Sequence, residues 1–346
     1  MFKTLNPTED TVTTRITVTN GFHDGGVGTL AGSNFTTASL SAAQKSYYYN
    51  VQYNSKDHFS VSYGHIDGSG SAEQSTTTEG TTQAIYKQFY NYTEPSATNI
   101  RDGAQFSIAS TNTPDAYFIV AERLQMKDRL NPGTWTITLS GSTTAGVATS
   151  LSLTDDSKTV DALTPGSPFG EVYSIVSGSA GTKVGATTYG KFYPDAGLMV
   201  LSANQVSSSL PGSGSTAAYQ MAGGAVNQFN GLAPDLRVTD AADNAWKIAR
   251  AMELGSVTLR SEEKQYIYDY FCRAKVSQFN LSQNITFWSG SDYTIRHSDM
   301  VTNPQTYISE VGLYDNQSNL IAVGRLSSAL NKNFSSEAIV KVRLTY

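Results

Sequence analysis

TYISEVGLYD (306–315), NLIAVGRLS (319–327) and AIVKVRL (338–344) decide how this chain folds. Each is a short run rich in β-branched and aromatic side chains, the composition that suits a pleated, half-buried surface. Asp315 to Ser318 (DNQS) separates the first two by turn residues, which predicts a hairpin. Immediately upstream the same signal recurs in SVTLR (256–260), QYIYDYFCRAK (265–275) and NITFW (284–288). The last third of the chain is therefore expected to be almost continuous strand.

The signal extends toward the N-terminus. TVTTRITVT (11–19), KSYYYNVQY (45–53), HFSVSYG (58–64), YFIV (117–120) and WTITLS (135–140) all read as strands. In the last, Trp135, Ile137 and Leu139 define one face of the pleat and either face can be the inner one. Asn131-Pro132-Gly133 is a turn. Between 141 and 235 the chain is rich in Gly, Ser, Thr and Ala, with strands expected at 149–153, 171–178, 189–193 and 197–202. Pro194 to Gly197 has hairpin-turn chemistry, and 211–225 reads as a linker. Two helices are expected, at 82–92 and at 240–254. The second is capped by Thr239 or Asp240 and ended by Gly255. Helices do not alternate with strands, which argues against a parallel βαβ sheet. The fold class expected is mainly β: antiparallel sheets and β-sandwich domains with one or two accessory helices. The expected division is an N-terminal β-rich domain (1–140), a middle domain or insertion (141–235), and a helix with a C-terminal antiparallel β domain (236–346).

Composition narrows the functions open to such a chain. The 346 residues include 20 Tyr, 14 Phe and 3 Trp, so there are large side chains to bury, while only 15% are charged. The formal net charge is -5 and there is no Lys/Arg-rich run, which argues against nucleic acid as a partner. No stretch has the length needed to span a membrane. The opening MFKTLNPTEDTVTTRI lacks an apolar stretch, so the expectation is synthesis in a host cytoplasm without a signal peptide. The Asn-x-Ser/Thr sequons at Asn34, Asn91, Asn280, Asn284 and Asn333 then carry no glycan. Cys272 is the single cysteine, so no intrachain disulfide forms, and it reads as a small buried hydrophobe.

Residues capable of chemistry are few and badly spaced. His58 and His65 would lie about 23 Å apart along a strand, too far to share a metal. His23 and His297 complete the histidines. His297-Ser298-Asp299 has triad residue types, but adjacent residues on a strand point to opposite faces, so a turn is expected instead. Asp155-Asp156 and Glu262-Glu263 are adjacent acids, expected in solvated turns rather than across a cleft. The glycine clusters 64–70 and 212–214 lack a Walker lysine. The tyrosines 47–49 and the aromatics of 266–271 can pack in a core, form a subunit contact or stack on sugar. No catalytic residue, cofactor site or metal site is assigned, and no enzyme activity is expected.

The segment Asn303-Pro304-Gln305-Thr306-Tyr307-Ile308-Ser309-Glu310-Val311-Gly312-Leu313-Tyr314-Asp315, with Asn319-Leu320-Ile321-Ala322-Val323-Gly324-Arg325-Leu326, resembles a signature of virion structural proteins from T4-like myoviruses, notably cyanophages. Glu337 to Leu344 is also similar to theirs. So are Asp57 to His65 with Ala84 to Gln88, and Tyr117 to Val120 with Arg129 to Trp135. The resemblance is weakest over 141–235. It implies a structural component of a contractile tail, and the C-terminal likeness implies a baseplate wedge or fibre-attachment subunit. Its partners would be other phage tail and baseplate proteins, in several copies per virion. Residues implied in contacts are Tyr307, Val311, Leu313, Tyr314, Leu320, Ile321 and Val323. The alternatives are a neck or collar protein and a glycan-binding tail-fibre protein. The glycan reading would use Tyr47 or Tyr49.

Overall fold

The computed structural model describes residues 3–22, 28–37, 48–70, 80–94, 104–142, 148–160, 170–210, 232, 241–282 and 284–345. The expected 211–225 linker, Tyr47, His23, Gly212–Gly214 and the Thr239/Asp240 cap lie outside them. The first elements are β1 (Thr11–Gly21), β2 (Thr29–Ala31), β3 (Phe35–Thr37), β4 (Tyr48–Tyr53), β5 (Lys56–His65), α1 (Thr81–Thr93), β6 (Phe106–Ile108), β7 (Thr111–Thr113), β8 (Asp115–Ala121), α2 (Arg123–Met126) and β9 (Arg129–Leu130). Next come β10 (Thr136–Ser142), β11 (Ala148–Asp155), β12 (Tyr173–Ser179), β13 (Thr182–Tyr193), β14 (Leu198–Ser202), α3 (Ala203–Ser209), α4 (Ala241–Glu253) and β15 (Ser256–Thr258). The chain continues through β16 (Arg260–Ala274), β17 (Trp288–Ser289), β18 (Thr294–Ile295), α5 (Asp299–Thr302), β19 (Gln305–Tyr314), β20 (Leu320–Asn333) and β21 (Ala338–Thr345). The protein is mainly β with antiparallel sheets, as the sequence predicts.

Contacts divide the chain into two units: residues 18–263, and residues 1–17 with 264–346. This differs from the three-part division expected above. The boundary at 140/141 falls inside the β10–β11 ladder, where Ser140 pairs with Ser150 and Gly141 with Thr149. Likewise α4 and β15 pack with the strands of the large unit rather than with the C-terminal strands.

The large unit is built on an eleven-stranded antiparallel sheet in the order β2-β15-β10-β11-β12-β13-β14-β8-β5-β4-β3. The strands at its two ends, β2 and β3, are separated in sequence only by the 3-10 turn Gly32–Asn34. One turn thus holds both ends of the sheet, which curls into a nearly closed barrel. The interior takes alternate residues: Phe59, Val61 and Tyr63 of β5, Tyr117, Ile119 and Ala121 of β8, and Ile137 and Leu139 of β10 with the adjoining Trp135. That settles which face of WTITLS is inner. The helix α4 touches β3, β4 and β5 at one end of the sheet order and β10 and β15 at the other. Its residues Asn244 to Ala249 are all buried, along with Ala251 and Met252. A helix buried all round is a core element rather than a surface cover.

The strand β8 is apolar on successive residues because it is covered twice. Its other face, Ala116 and Phe118, packs under α1 with Ile85, Tyr86 and Phe106. Phe89 of α1 stacks on Phe118 at 4.2 Å between ring centroids. Such double coverage turns alternation into a continuous apolar run. Gly64 of β5 lets α1 come this close, since a Cβ there would sit 2.8 Å from the Tyr86 amide nitrogen. Gly64→Ala should therefore push α1 outward and cost about 1–3 kcal/mol in urea unfolding. A stability equal to that of the unsubstituted chain would contradict this packing.

In the small unit, β16 carries β21 on one side and β1 on the other. Tyr270 pairs with Val342 and Cys272 with Val340, so these four side chains share one face. On that face Tyr270, Cys272, Val340, Val342 and Leu344 pack against Val311 and Leu313 of β19 and Ala322 and Leu326 of β20, joined by Leu5. The unit is a two-layer sandwich. NITFW does not form the expected strand: Asn284 Oδ1 accepts from Thr286 N at 3.2 Å and nucleates a 3-10 turn over Ile285–Phe287, and only Trp288 and Ser289 are extended. Asparagine capping outcompetes the ladder here.

Candidate interaction surface

Most residues of the β19–β20 hairpin are exposed. Its turn is organised by Asp315, whose Oδ1 accepts from Gln317 N at 2.8 Å and Asn319 N at 2.7 Å while Oδ2 accepts from Asn319 Nδ2 at 2.9 Å. These hydrogen bonds, chiefly those from Asn319, hold its carboxyl below the ordinary carboxylate range. Along the ladder, Glu310 faces Arg325, Val311 faces Gly324, Gly312 faces Val323 and Leu313 faces Ala322, with irregularities after Ile308 and after Leu313.

This register separates the seven residues implied in contacts into two sets. Leu313 is buried and Val311 half-buried in the sandwich core. Tyr307, Tyr314, Leu320, Ile321 and Val323 are exposed, from 46% for Tyr314 to 59% for Tyr307. On the outer face Tyr314 and Leu320 close over Gly312, where a Cβ would meet the Tyr314 ring at 2.9 Å and Leu320 Cδ1 at 3.2 Å. Val323 and the exposed Glu310–Arg325 pair, 3.5 Å apart, continue that face. Other apolar residues of the unit are also exposed, among them Ile285, Tyr293, Val301, Phe334 and Ile339, which sequence reasoning did not single out. Of the twenty exposed large apolar side chains among the described residues, fifteen belong to this unit of 100 residues. Exposed apolar surface is therefore concentrated here.

The opposite face of the β16–β21 sheet is ionic. Asp269 accepts from Arg343 Nε at 2.8 Å and Nη2 at 3.0 Å, and Lys341 Nζ lies 2.8 Å away. These donors, Arg343 first, hold the Asp269 carboxyl well below the usual carboxylate range. The folded chain keeps this charge to lower pH than the unfolded chain, whose carboxyl titrates near about 3.9. The pair thus stabilises the fold fully above that value, and its contribution is lost as pH falls toward the depressed folded value. Asp269→Asn should flatten this part of the acid limb when urea midpoints are followed from pH 5 to about pH 2. An unchanged slope would remove the pair as a contributor. Lys341 also lies over the Phe271 ring, 5.6 Å from its centroid.

The remaining polar candidates hold structure. Asp155 and Asp156 are buried rather than in a solvated turn, 0% and 6% exposed. Asp155 accepts from Gly133 N at 2.8 Å and Ser157 N at 2.9 Å, and Asp156 accepts from Ser174 N at 2.9 Å. The Glu262-Glu263 pair also departs from the expected solvated turn. Both lie on β16, where Glu262 pairs with Arg129 at 2.5 Å and Glu263 with Lys127 at 3.2 Å. Pairing across the β9–β16 ladder lets these acids sit on a strand. His58 is buried with Nδ1 2.8 Å from Lys56 O, and His65, at the other end of β5, faces Asp115 across the ladder. Burial lowers the His65 pKa against the raising influence of Asp115 and Asp67. His297-Ser298-Asp299 forms the exposed start of α5.

Tyr49, one of the two tyrosines of the glycan reading, is buried in the barrel core. Cys272 is half-buried in the sandwich, and burial raises its thiol pKa. Among the described residues no group of three or more His, Cys, Asp or Glu side chains could hold a metal, and no helix is long and apolar enough to cross a membrane. Comparison of the chain with family models, with curated proteins and with solved structures finds no match.

Proposed function

We propose that this chain is a non-enzymatic structural component of a contractile-tailed phage virion, placed in the baseplate as a wedge or fibre-attachment subunit. Its work is to hold neighbouring tail proteins through protein–protein contacts, in several copies per particle. The observation that carries the reading is the outer face of the β19–β20 hairpin, where Tyr314, Leu320 and Val323 are all 46–55% exposed on a rigid ladder. Contiguous apolar patches on a soluble chain mark interaction sites. This patch falls within the segment whose sequence resembles myovirus structural proteins. Aromatic and aliphatic anchors surrounded by polar residues suit the core of an assembly contact.

The test is to dissociate purified particles and find which substructure retains the chain. Recovery with baseplate proteins is the expected result. Absence from mature particles would end the reading, and recovery only with the head–tail junction would move the protein to the neck.

A further inference from the structure

A cleft runs along the side of β19 that is not paired with β20. Its volume is about 1180 Å³, and every residue from Gln305 to Asn316 lines it. Consecutive lining, rather than every second residue, means that the cleft borders the edge of the strand and so its backbone. Only β20 pairs with β19 among the described strands, so no described strand occupies that side. The facing wall includes Tyr270 and Cys272 of β16, Val340 of β21, and Phe279. Lys3, Thr4 and Leu5 line it as well, and Leu5 is packed into the sandwich core.

These features select the occupant. A strand edge offers backbone donors and acceptors at fixed spacing, which another extended backbone matches. Tyr270 and Cys272 project from one face of β16, so the apolar part of the wall alternates and suits side chains projecting at every second position. The rim charges have local partners: Arg273 with Asp10 at 3.3 Å, Glu310 with Arg325, Asp315 with Asn319, and Lys3 Nζ with Arg273 O at 2.8 Å. No charge on the incoming segment is called for. The volume exceeds the roughly 300–1,000 Å³ of ordinary small-molecule sites. Because Lys3–Leu5 line the cleft as well as β19, an entering strand has little room for a partner of its own on its other side. That disfavours the edge of a second copy's folded hairpin.

We propose that the cleft receives one extended, uncharged segment of another protein, apolar at alternate positions, which adds as a third strand to the β20–β19 sheet. This goes beyond the assembly role proposed above and uses a different surface from the hairpin's outer face.

The experiment uses the full chain extended past Tyr346 by a flexible Gly/Ser linker of about ten residues and a strand of alternating Val and Thr. The control carries Pro in place of two of the Val residues, which removes backbone donors. Tethering supplies a high effective concentration, so weak intrinsic affinity does not hide binding. Cys272 is the single cysteine and lines the cleft, so its alkylation reports occupancy. With the Val/Thr strand, alkylation should slow about tenfold and amide exchange over 305–314 should slow with it, relative to the Pro control. Equal rates in both versions would overturn the proposal, as would equal slowing in both, which would mean apolar adsorption without strand pairing. Protection appearing on β21 in place of β19 would also overturn it. None of these outcomes bears on whether the chain is found in particles.

Discussion

Lys332→Met should destabilise the small unit by about 1–3 kcal/mol, read as a fall in the urea midpoint. The Lys332 side chain is fully buried near the end of β20. Its ammonium donates to Val276 O at 3.0 Å, Asn280 Oδ1 at 2.7 Å and Asn333 O at 2.8 Å, using all three protons. Asn280 Nδ2 in turn donates to Val276 O at 2.7 Å, and the Thr306 hydroxyl donates to Phe279 O. The loop from Val276 to Asn280 is thus tied to both strands of the hairpin. Methionine keeps the unbranched stem but leaves Asn280 Oδ1 buried without its donor, while Val276 O keeps Asn280 Nδ2 and Asn333 O keeps the Ser336 amide. The cost is that of one unsatisfied acceptor rather than of lost packing. Lys332→Arg should not substitute, since a planar guanidinium cannot direct donors to three acceptors around one nitrogen. A fall of less than about 0.5 kcal/mol for Lys332→Met would show that the triple contact contributes nothing measurable.

Much of this architecture is legible in the residues themselves. The hairpin at Asp315–Ser318 and the turn at Pro194–Gly197 follow from local turn chemistry, and α1 and α4 from the short-range spacing of their apolar residues. What the residues do not announce is long-range. Nothing local in TLAGSNFTT says that the strands on either side of Gly32–Asn34 belong to opposite ends of one sheet. That closure depends on pairings with residues more than 200 positions away, such as Leu30 with Val257. The division into units is illegible for the same reason, because β1 and β16 bring distant parts of the chain into one sheet. Asp155, Asp156 and Glu262 look like solvated acids because sequence carries no sign of the Gly133 and Ser174 amides or the Arg129 guanidinium that receive them. The candidate surface was legible as a segment but not as a face. The register irregularities after Ile308 and Leu313 decide which of its apolar residues point inward, and no periodicity reveals them. The cleft beside β19 is defined by the absence of a second partner strand among the described residues, which no residue encodes.

On the virion role proposed above, Leu320→Lys combined with Val323→Lys should abolish incorporation of the chain into particles while leaving the purified protein as stable as before, within about 0.5 kcal/mol. Both residues are more than half exposed and belong to the outer face, away from the Leu313–Val340–Val342 cluster. Lysine keeps a long aliphatic stem over the ladder, so little folding free energy is at stake. At an assembly contact the same change buries two unpaired ammonium groups, each costing several kcal/mol unless the partner supplies a carboxylate. Leu313→Ala is the necessary contrast. Leu313 is 8% exposed in the sandwich core, so its truncation should cost about 2–4 kcal/mol of stability. Any loss of incorporation would then follow from unfolding of the unit. The two kinds of variant separate a contact role from a scaffolding one: outer-face lysines should give folded protein that particles exclude, and the inner alanine should give poorly folded protein. Particles that take up the double-lysine chain at the normal level, as judged by quantitative mass spectrometry, would show that this face is turned toward solvent in the particle and that the contacts holding the protein there lie elsewhere.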